Sequence, residues 1–281
     1  MTQEESAGAA RNEQLQQQQR RLRERMSQVD NTVVVLSGKG GVGKSTVAAN
    51  LAVALSRRGL RVGLLDADMH GPSVPKLLDL EQQQVHSDGQ SIVPALYSPE
   101  LSVMSIAFLV SERDEAVIWR GPLKMNVLRQ LLADVDWGEL DFLVVDLPPG
   151  TGDEPLSICQ LIPDATGALV VTTPQELAVS DVRKCITFCR RLELPVLGVI
   201  ENMSGLTCPH CGEHIELFGQ GGGRAMAEQM GVPFLGSVPV DTSVVGASDR
   251  GRPFVEHAPE GPAGRAFLAA VQPVVDLAGN E

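Results

Sequence analysis

The sequence predicts an α/β fold, a three-layer and mostly parallel sheet with helices on both faces. Three observations carry this expectation. Apolar, β-branched runs of strand length recur along the chain, and runs with no polar alternation belong to strands buried on both faces. Helical patterns alternate with them, as βαβ units require. A glycine-rich turn stands where the first strand hands over to the first helix, on the sheet edge where open α/β folds bind ligands.

The elements follow in order. "TVVVLS" (32–37) is the first strand, and "STVAANLAVALSRRG" (45–59) is a helix that closes on a glycine. "RVGLLDAD" (61–68) is a strand ending in acids, and "LSVMSIAF" (101–108) is a third. "PLKMNVLRQLLADV" (122–135) has helical spacing, and "DFLVVDLPPG" (141–150) is a strand running into a Pro/Gly loop. "GALVVTTP" (167–174) leads to a helix through "VSDVRKCITFCRRLE" (179–193), and "PVLGVIEN" (195–202) and "FLGSVPV" (234–240) are the last two strands. Residues 69–100 and 202–223 are expected to be irregular. Residues 1–30, with "NEQLQQQQRRLRERMSQVD", form a polar Gln/Arg-rich leader expected to be flexible. Residues 31–281 are expected to form a single domain carrying a Cys-x-x-Cys loop at 208–211.

Composition excludes several function classes. The 281 residues carry a net charge of −12, which speaks against a nucleic-acid partner. No apolar run reaches the ~18 residues of a membrane span, and the start has no signal-peptide character. Five cysteines make a poor disulfide framework and fit a reducing cytosol. A soluble cytoplasmic protein is expected, without a nucleic-acid or membrane partner.

The first strand runs into "GKGGVGKST" (38–46), which fits G-x-x-x-x-G-K-S/T with Gly38, Gly43, Lys44 and Ser45 in the fixed places. The glycines let successive backbone N–H groups face phosphate oxygens, and the following helix turns its positive end to the same anion. Gly38, Lys39, Gly40, Gly41, Val42, Gly43, Lys44, Ser45 and Thr46 are therefore the candidate nucleotide loop. Lys44 is expected to reach the β- and γ-phosphates of ATP, with the Ser45 hydroxyl on Mg2+. Asp146, behind four apolar residues, has the Walker B pattern and is expected to hold Mg2+ in the outer sphere. Asp68 is the candidate for orienting the attacking water, with Asp66 as second choice. Spacing alone does not assign the extra Lys39.

At this point the residues resemble a known family. "GKGGVGKST" is similar to the deviant Walker A loop of the MinD/ParA/nitrogenase-iron-protein class of P-loop NTPases. In that class the extra lysine, here Lys39, reaches the nucleotide of a second subunit, so the resemblance implies a homodimer or a pair with a paralogous subunit. "DADMHGPSVPKLL", "WRGPLKMNVLRQLL", "LVVDLPPGTGDEPLS", "VIENMSG", "CPHCG", "FGQGGG" and "GSVPVD" follow in this order. Together they resemble the Mrp/ApbC family of iron–sulfur cluster carrier ATPases over about residues 31–255. The resemblance implies that Asn202 reads the adenine edge and that Pro239, Val240 and Asp241 border the base. It does not extend to the four-cysteine N-terminal extension of one eukaryotic branch, since residues 1–158 contain no cysteine.

Cys208 and Cys211 supply two thiolates where a metal site usually wants four ligands. Either His210 or His214 completes a zinc site within one chain, or two chains donate two cysteines each. The resemblance implies the second arrangement, with a bridging [4Fe-4S] cluster that is passed on to apo iron–sulfur proteins. A redox disulfide is the third possibility. Cys159, Cys185 and Cys189 lie on helical patterns and read as small buried apolar residues. The leading expectation is a slow ATPase that carries iron–sulfur clusters. The alternative is a MinD/ParA-like positioning ATPase in which the Cys-x-x-Cys loop is a structural zinc site. The C-terminal "GPAGRAFLAAVQPVVDLAGNE", with one Arg and no Lys, lacks the basic amphipathic helix a membrane-bound relative would need. A reductase like the nitrogenase iron protein comes third, because its cluster cysteines sit at two separated positions.

Overall fold

The apolar runs become the middle of a nine-stranded sheet in the computed structural model, which describes residues 16–279 apart from 88, 90, 110–120, 163, 209 and 249. The elements in chain order are α1 (16–26), β1 (Val29–Ser37), α2 (Lys44–Ser56), β2 (Val62–Asp66) and α3 (Val74–Leu77). Next come β3 (His86–Ser87), β4 (Ile92–Val93), β5 (Ala95–Ser98), β6 (Leu101–Ser105), α4 (Gly121–Ala133), β7 (Leu140–Asp146) and α5 (Asp153–Leu161). The chain continues through β8 (Gly167–Thr172), α6 (Glu176–Arg191), β9 (Val196–Thr207), β10 (His214–Ile215) and α7 (Gly222–Met230). It ends with β11 (Phe234–Val240), α8 (Thr242–Ser248), α9 (Phe254–His257) and α10 (Pro262–Val275).

The strand order is β10-β9-β8-β1-β7-β2-β6-β5, with β11 also on β9. The central pairs are parallel, and the short edge strands β5 and β10 are antiparallel. Alternation along β1 explains the three layers. Val33 and Val35 join a core with α2, α9 and α10, while Val34 and Leu36 join one with α4 and α5. A third cluster places α6 and α7 over β8 and β9 through Val170, Val182 and Val199. Helix α2 is buried on nearly every side, as an almost uniformly apolar helix must be. Cys185 and Cys189 are fully buried on α6, in line with the apolar reading.

Four expectations are corrected. The leader is not flexible throughout: residues 16–26 form α1, and β1 begins at Val29. Leu22 is buried in the α4/α5 core, and Arg25 pairs with Asp136 at 2.7 Å. One apolar residue with Met26 behind it is enough to dock a Gln/Arg-rich helix. Residues 1–15 of the leader lie outside the described residues, as do Trp119 and Arg120 of one quoted motif. The expected strand 101–108 stops at Ser105 and tightens into a 3-10 turn over Ile106–Leu109. The segment 69–100 is not structureless, since it holds α3, the β3–β4 hairpin and edge strand β5. The segment 202–223 is irregular only in its second half, because β9 runs on to Thr207 and folds back as β10.

Candidate functional site: a phosphate loop and a cysteine hairpin joined by one strand

The loop between β1 and α2 wraps a cavity of about 270 Å³. Lys39, Gly40, Gly41, Gly43, Lys44, Ser45 and Thr46 line it from the loop, and Asp68 and Gly71 from the segment after β2. Gly43 takes a left-handed backbone (φ 85°), and a Cβ there would lie 2.3 Å from Asn202 Nδ2. Both facts demand glycine. Gly38 is required by packing, since its Cβ would meet the Asp181 backbone at 2.5 Å.

The three acids separate clearly. β2 and β7 are in register, so Asp66 stands beside Asp146. Asp66 is fully buried and accepts hydrogen bonds from the Asp68 N–H at 3.2 Å, the Val74 N–H at 3.2 Å and the Ser105 hydroxyl at 3.1 Å. These bonds fasten the loop after β2. Burial, with Asp146 adding to it, pushes the Asp66 carboxyl up to about 7. Asp66 therefore shapes the loop and does not face the cavity. Asp68 does face it, and its Oδ1 accepts the N–H groups of His70 and Gly71 at 3.2 and 3.3 Å.

Asp146 is also fully buried, and Lys44 Nζ donates to its Oδ1 at 2.6 Å, with Asp68 Oδ2 at 3.8 Å from the same ammonium. Burial pushes the Asp146 carboxyl up, against the pull of Lys44 and Ser45. Its Oδ2 has no hydrogen-bond partner. A buried carboxylate oxygen without a donor, beside a serine hydroxyl and a phosphate cradle, fits the outer shell of a hydrated Mg2+.

Asn202, near the middle of β9, donates one Nδ2 hydrogen to the Val42 carbonyl at 2.9 Å. That leaves its second amide hydrogen and Oδ1 for a ligand, the donor–acceptor pair an adenine edge needs. Strand β11 sets Val238 opposite Asn202, so Pro239, Val240 and Asp241 run alongside the same stretch. Lys39 Nζ donates to Gln175 Oε1 at 3.2 Å, just ahead of α6.

Strand β9 also leads to the cysteines. Thr207 pairs with His214 across the β9–β10 hairpin, and the Cys208 N–H donates to the Glu213 carbonyl at 2.8 Å. Cys208 is partly exposed and Cys211 exposed. The backbone N–H groups of Cys211 and His210 point at the Cys208 sulfur and hold its thiol below the usual range. That is a cradle for a metal-bound thiolate. Burial instead pushes Cys159 up to about 11 and Cys185 and Cys189 up to about 12. Among the described residues no group of three or more His, Cys, Asp or Glu converges on a metal position. The ring of His214 lies over Gly205.

Sequence reasoning missed two clusters. Glu201 is fully buried and accepts from the Ser204 and Ser237 hydroxyls and the Gly221 and Gly223 N–H groups. It thereby fixes the "GQGGG" segment. The available signal was an acid inside the apolar run "PVLGVIEN". The second cluster ties α4 and α5 to the segment after β2. Glu154 accepts from Lys124 and meets His70 Nε2 at 3.1 Å.

Comparison with known proteins agrees with this geometry. The family model described as ParA, NUBPL iron-transfer P-loop NTPase, matches residues 28–275. The iron-sulfur cluster carrier protein of Methanocaldococcus jannaschii is 50% identical over 241 residues, covering 86% of this chain and 83% of that protein. The human cytosolic Fe-S cluster assembly factor NUBP2 is 47% identical over 252 residues, covering 88% and 93%. Among solved structures, a nucleotide-binding protein of Archaeoglobus fulgidus in complex with ADP superposes with a TM-score of 0.76 at 40% identity, covering 89% and 96%. The MinD protein of Pyrococcus horikoshii, at 24% identity and a TM-score of 0.66 over 89% and 97%, shares the fold. With the phosphate loop, its acids and the cysteine hairpin on one mostly parallel sheet, the chain belongs to the family of ParA-type, NUBPL iron-transfer P-loop NTPases.

Proposed function

We propose that the chain is an ATP-hydrolysing carrier that seats a [4Fe-4S] cluster between two copies of itself and hands it to apo iron–sulfur proteins in the cytosol. The observation that carries this reading is the hairpin tip. Cys208 and Cys211 are accessible there, N–H groups favour the thiolate, and one chain brings no third ligand to it among the described residues. Two such tips complete a four-thiolate seat. Two ligands per subunit make a seat that opens when the subunits shift, which suits cargo meant to leave. The names of the carrier and assembly-factor relatives support the same reading.

In this reading the loop N–H groups and Lys44 bind the β- and γ-phosphates of ATP. Lys44 stays beside Asp146 and meets the phosphate oxygens in place when ATP enters. Ser45 and Asp146 would hold Mg2+, which would supply positive charge to neutralise the phosphates. Asp68, facing the cavity, orients the attacking water. Asn202 reads the adenine edge beside Pro239–Asp241. Lys39 crosses to the nucleotide of the second copy, or of a paralogous subunit. Slow hydrolysis without a client is the behaviour of a switch.

The test is anaerobic reconstitution with iron and sulfide, with metal analysis and sizing chromatography. Wild type runs beside a Cys208→Ser/Cys211→Ser double variant. About four irons per two chains, lost in the variant, is the expected result. Iron that does not depend on these cysteines overturns the carrier reading. Stoichiometric zinc in place of iron makes the hairpin a structural clasp.

A further inference from the structure

The nucleotide loop and the cysteine hairpin share strand β9, and the stretch from Asn202 to Cys208 is tightly held at one end. Glu201, just upstream, is locked by four donors. Asn202 is bonded to Val42, and no side chain fits between Gly43 and residues 202–203. A Cβ on Gly43 would lie 2.3 Å from Asn202 Nδ2 and 3.7 Å from Met203 Cε. Beyond this anchor the strand continues but is distorted. Met203 takes a left-handed conformation (φ 57°), unusual for a long side chain, and Gly205 takes another (φ 75°). The pairing with β11 slips over the same stretch.

The second contact lies at Gly205. A Cβ there would sit 2.4 Å from His214 Cε1 and 2.6 Å from Nε2. The imidazole thus fills the space of the missing side chain, pressed against the β9 backbone. His214 is itself the β10 residue that pairs with Thr207, next to Cys208. A displacement at residues 202–203 is blocked upstream by Glu201. Ser204 is tied to the same carboxylate, so the way out downstream runs through left-handed Gly205 into the His214 ring and so into the hairpin.

We propose that Gly205 and His214 are positioning residues that carry the state of the nucleotide loop to the Cys208–Cys211 tip, so that nucleotide binding changes the exposure of the two thiols. This deepens the carrier reading and rests on it for the meaning of the cysteines. It does not need the cluster to be tested. His214 acts here by its bulk and not as a metal ligand.

The experiment uses the full chain, reduced and stripped of metal. Alkylation rates of Cys208 and Cys211 by iodoacetamide are followed by peptide mass spectrometry, with and without Mg2+ and a non-hydrolysable ATP analogue. Wild type is expected to show a rate change of about fivefold or more on adding nucleotide. In His214→Ala the change should fall below about twofold, although the analogue, titrated in parallel, still binds. His214→Phe, which keeps a ring but no metal-ligating nitrogen, should restore the response. Gly205→Ala, which displaces the ring, should shift the nucleotide-free rate itself. A wild-type response in His214→Ala overturns the proposal, as does a wild type that binds the analogue without any rate change. Failure of the carrier reading would show separately, as iron loading independent of Cys208 and Cys211.

Discussion

Replacing Asp66 by asparagine tests the division of labour among the three acids. In the folded chain Asp66 has no access to solvent, and burial beside Asp146 lifts its carboxyl to about 7. Unfolded, it titrates near 3.8. Between these values the folded state holds a proton that the unfolded state has lost. Wild-type stability therefore falls as pH rises from about 4 to about 7 on account of this group, and levels off above. From pH 5 to pH 8 the loss amounts to about 3 kcal/mol at about 1.4 kcal/mol per pH unit. The amide of the Asp66→Asn variant does not titrate and carries no such dependence. Its carbonyl can take the Val74 and Ser105 donors, but its NH2 cannot accept the Asp68 N–H as the oxygen of a protonated Asp66 still does, so that one buried donor loses its partner. Asp66→Asn should thus be about 1–3 kcal/mol less stable than wild type at pH 5. Relative to wild type it should gain about 3 kcal/mol by pH 8. Urea unfolding of the nucleotide-free protein at both pH values reads this directly. With a slope of about 3 kcal/mol/M the relative midpoint moves by about 1 M. A stability difference that stays the same at both pH values would refute the reasoning. It would mean that the three donors outweigh burial and that Asp66 is ionised throughout.

Two further changes have clear signs. Lys44→Ala strands the buried Asp146 carboxylate and should cost about 3–5 kcal/mol in chemical denaturation without nucleotide. Asp146→Asn keeps the shape and leaves Lys44 near Asp68 and the cavity, so it should cost under about 2 kcal/mol; the reverse order would count against the buried pair. Leu22→Ala removes the main apolar anchor of α1, worth about 2 kcal/mol. Limited proteolysis should then cut around residues 16–28 faster while nucleotide binding persists, and an unchanged cutting rate would mean that α1 is held by something else.

The sheet was legible because its strands are buried on both faces, so "TVVVLS" and "DFLVVD" are apolar at nearly every position and cannot be solvated. What escaped was whatever depends on partners distant in sequence. The α1 helix reads as a solvated tract, since its docking rests on Leu22 and Met26 among Gln and Arg. The edge strands β5 and β10 are too short to show a period. The glycine-rich turn between β1 and α2 was legible, because left-handed backbone and close approach to Asn202 leave glycine as the solution at Gly43. Asp66 and Asp68 look alike in "LLDAD", and only the register with β7 shows that one is buried beside Asp146 and the other turned to the cavity. The β9–β10 pairing that brings His214 over Gly205 leaves no periodic trace either.

The two lysines of the loop are held in opposite ways, and the difference bears on what each is for. Lys44 is buried between two carboxylates, at 2.6 Å from Asp146 and 3.8 Å from Asp68. Its ammonium has nowhere else to go, and a phosphate arriving in the loop meets it in place. Lys39 is only half-buried and bonded to one neutral amide, Gln175 Oε1 at 3.2 Å. A bond from an ammonium to a neutral acceptor contributes about 1.5–3 kcal/mol at best, less where water competes. A phosphate is a far stronger acceptor for the same ammonium. Lys39 can therefore leave Gln175 at little cost when a phosphate comes within reach, whereas Lys44 cannot leave Asp146 without exposing a buried charge. A resident lysine and a releasable one, set in the same short loop, are what the protein needs if it is to bind its own nucleotide and also engage that of a second copy.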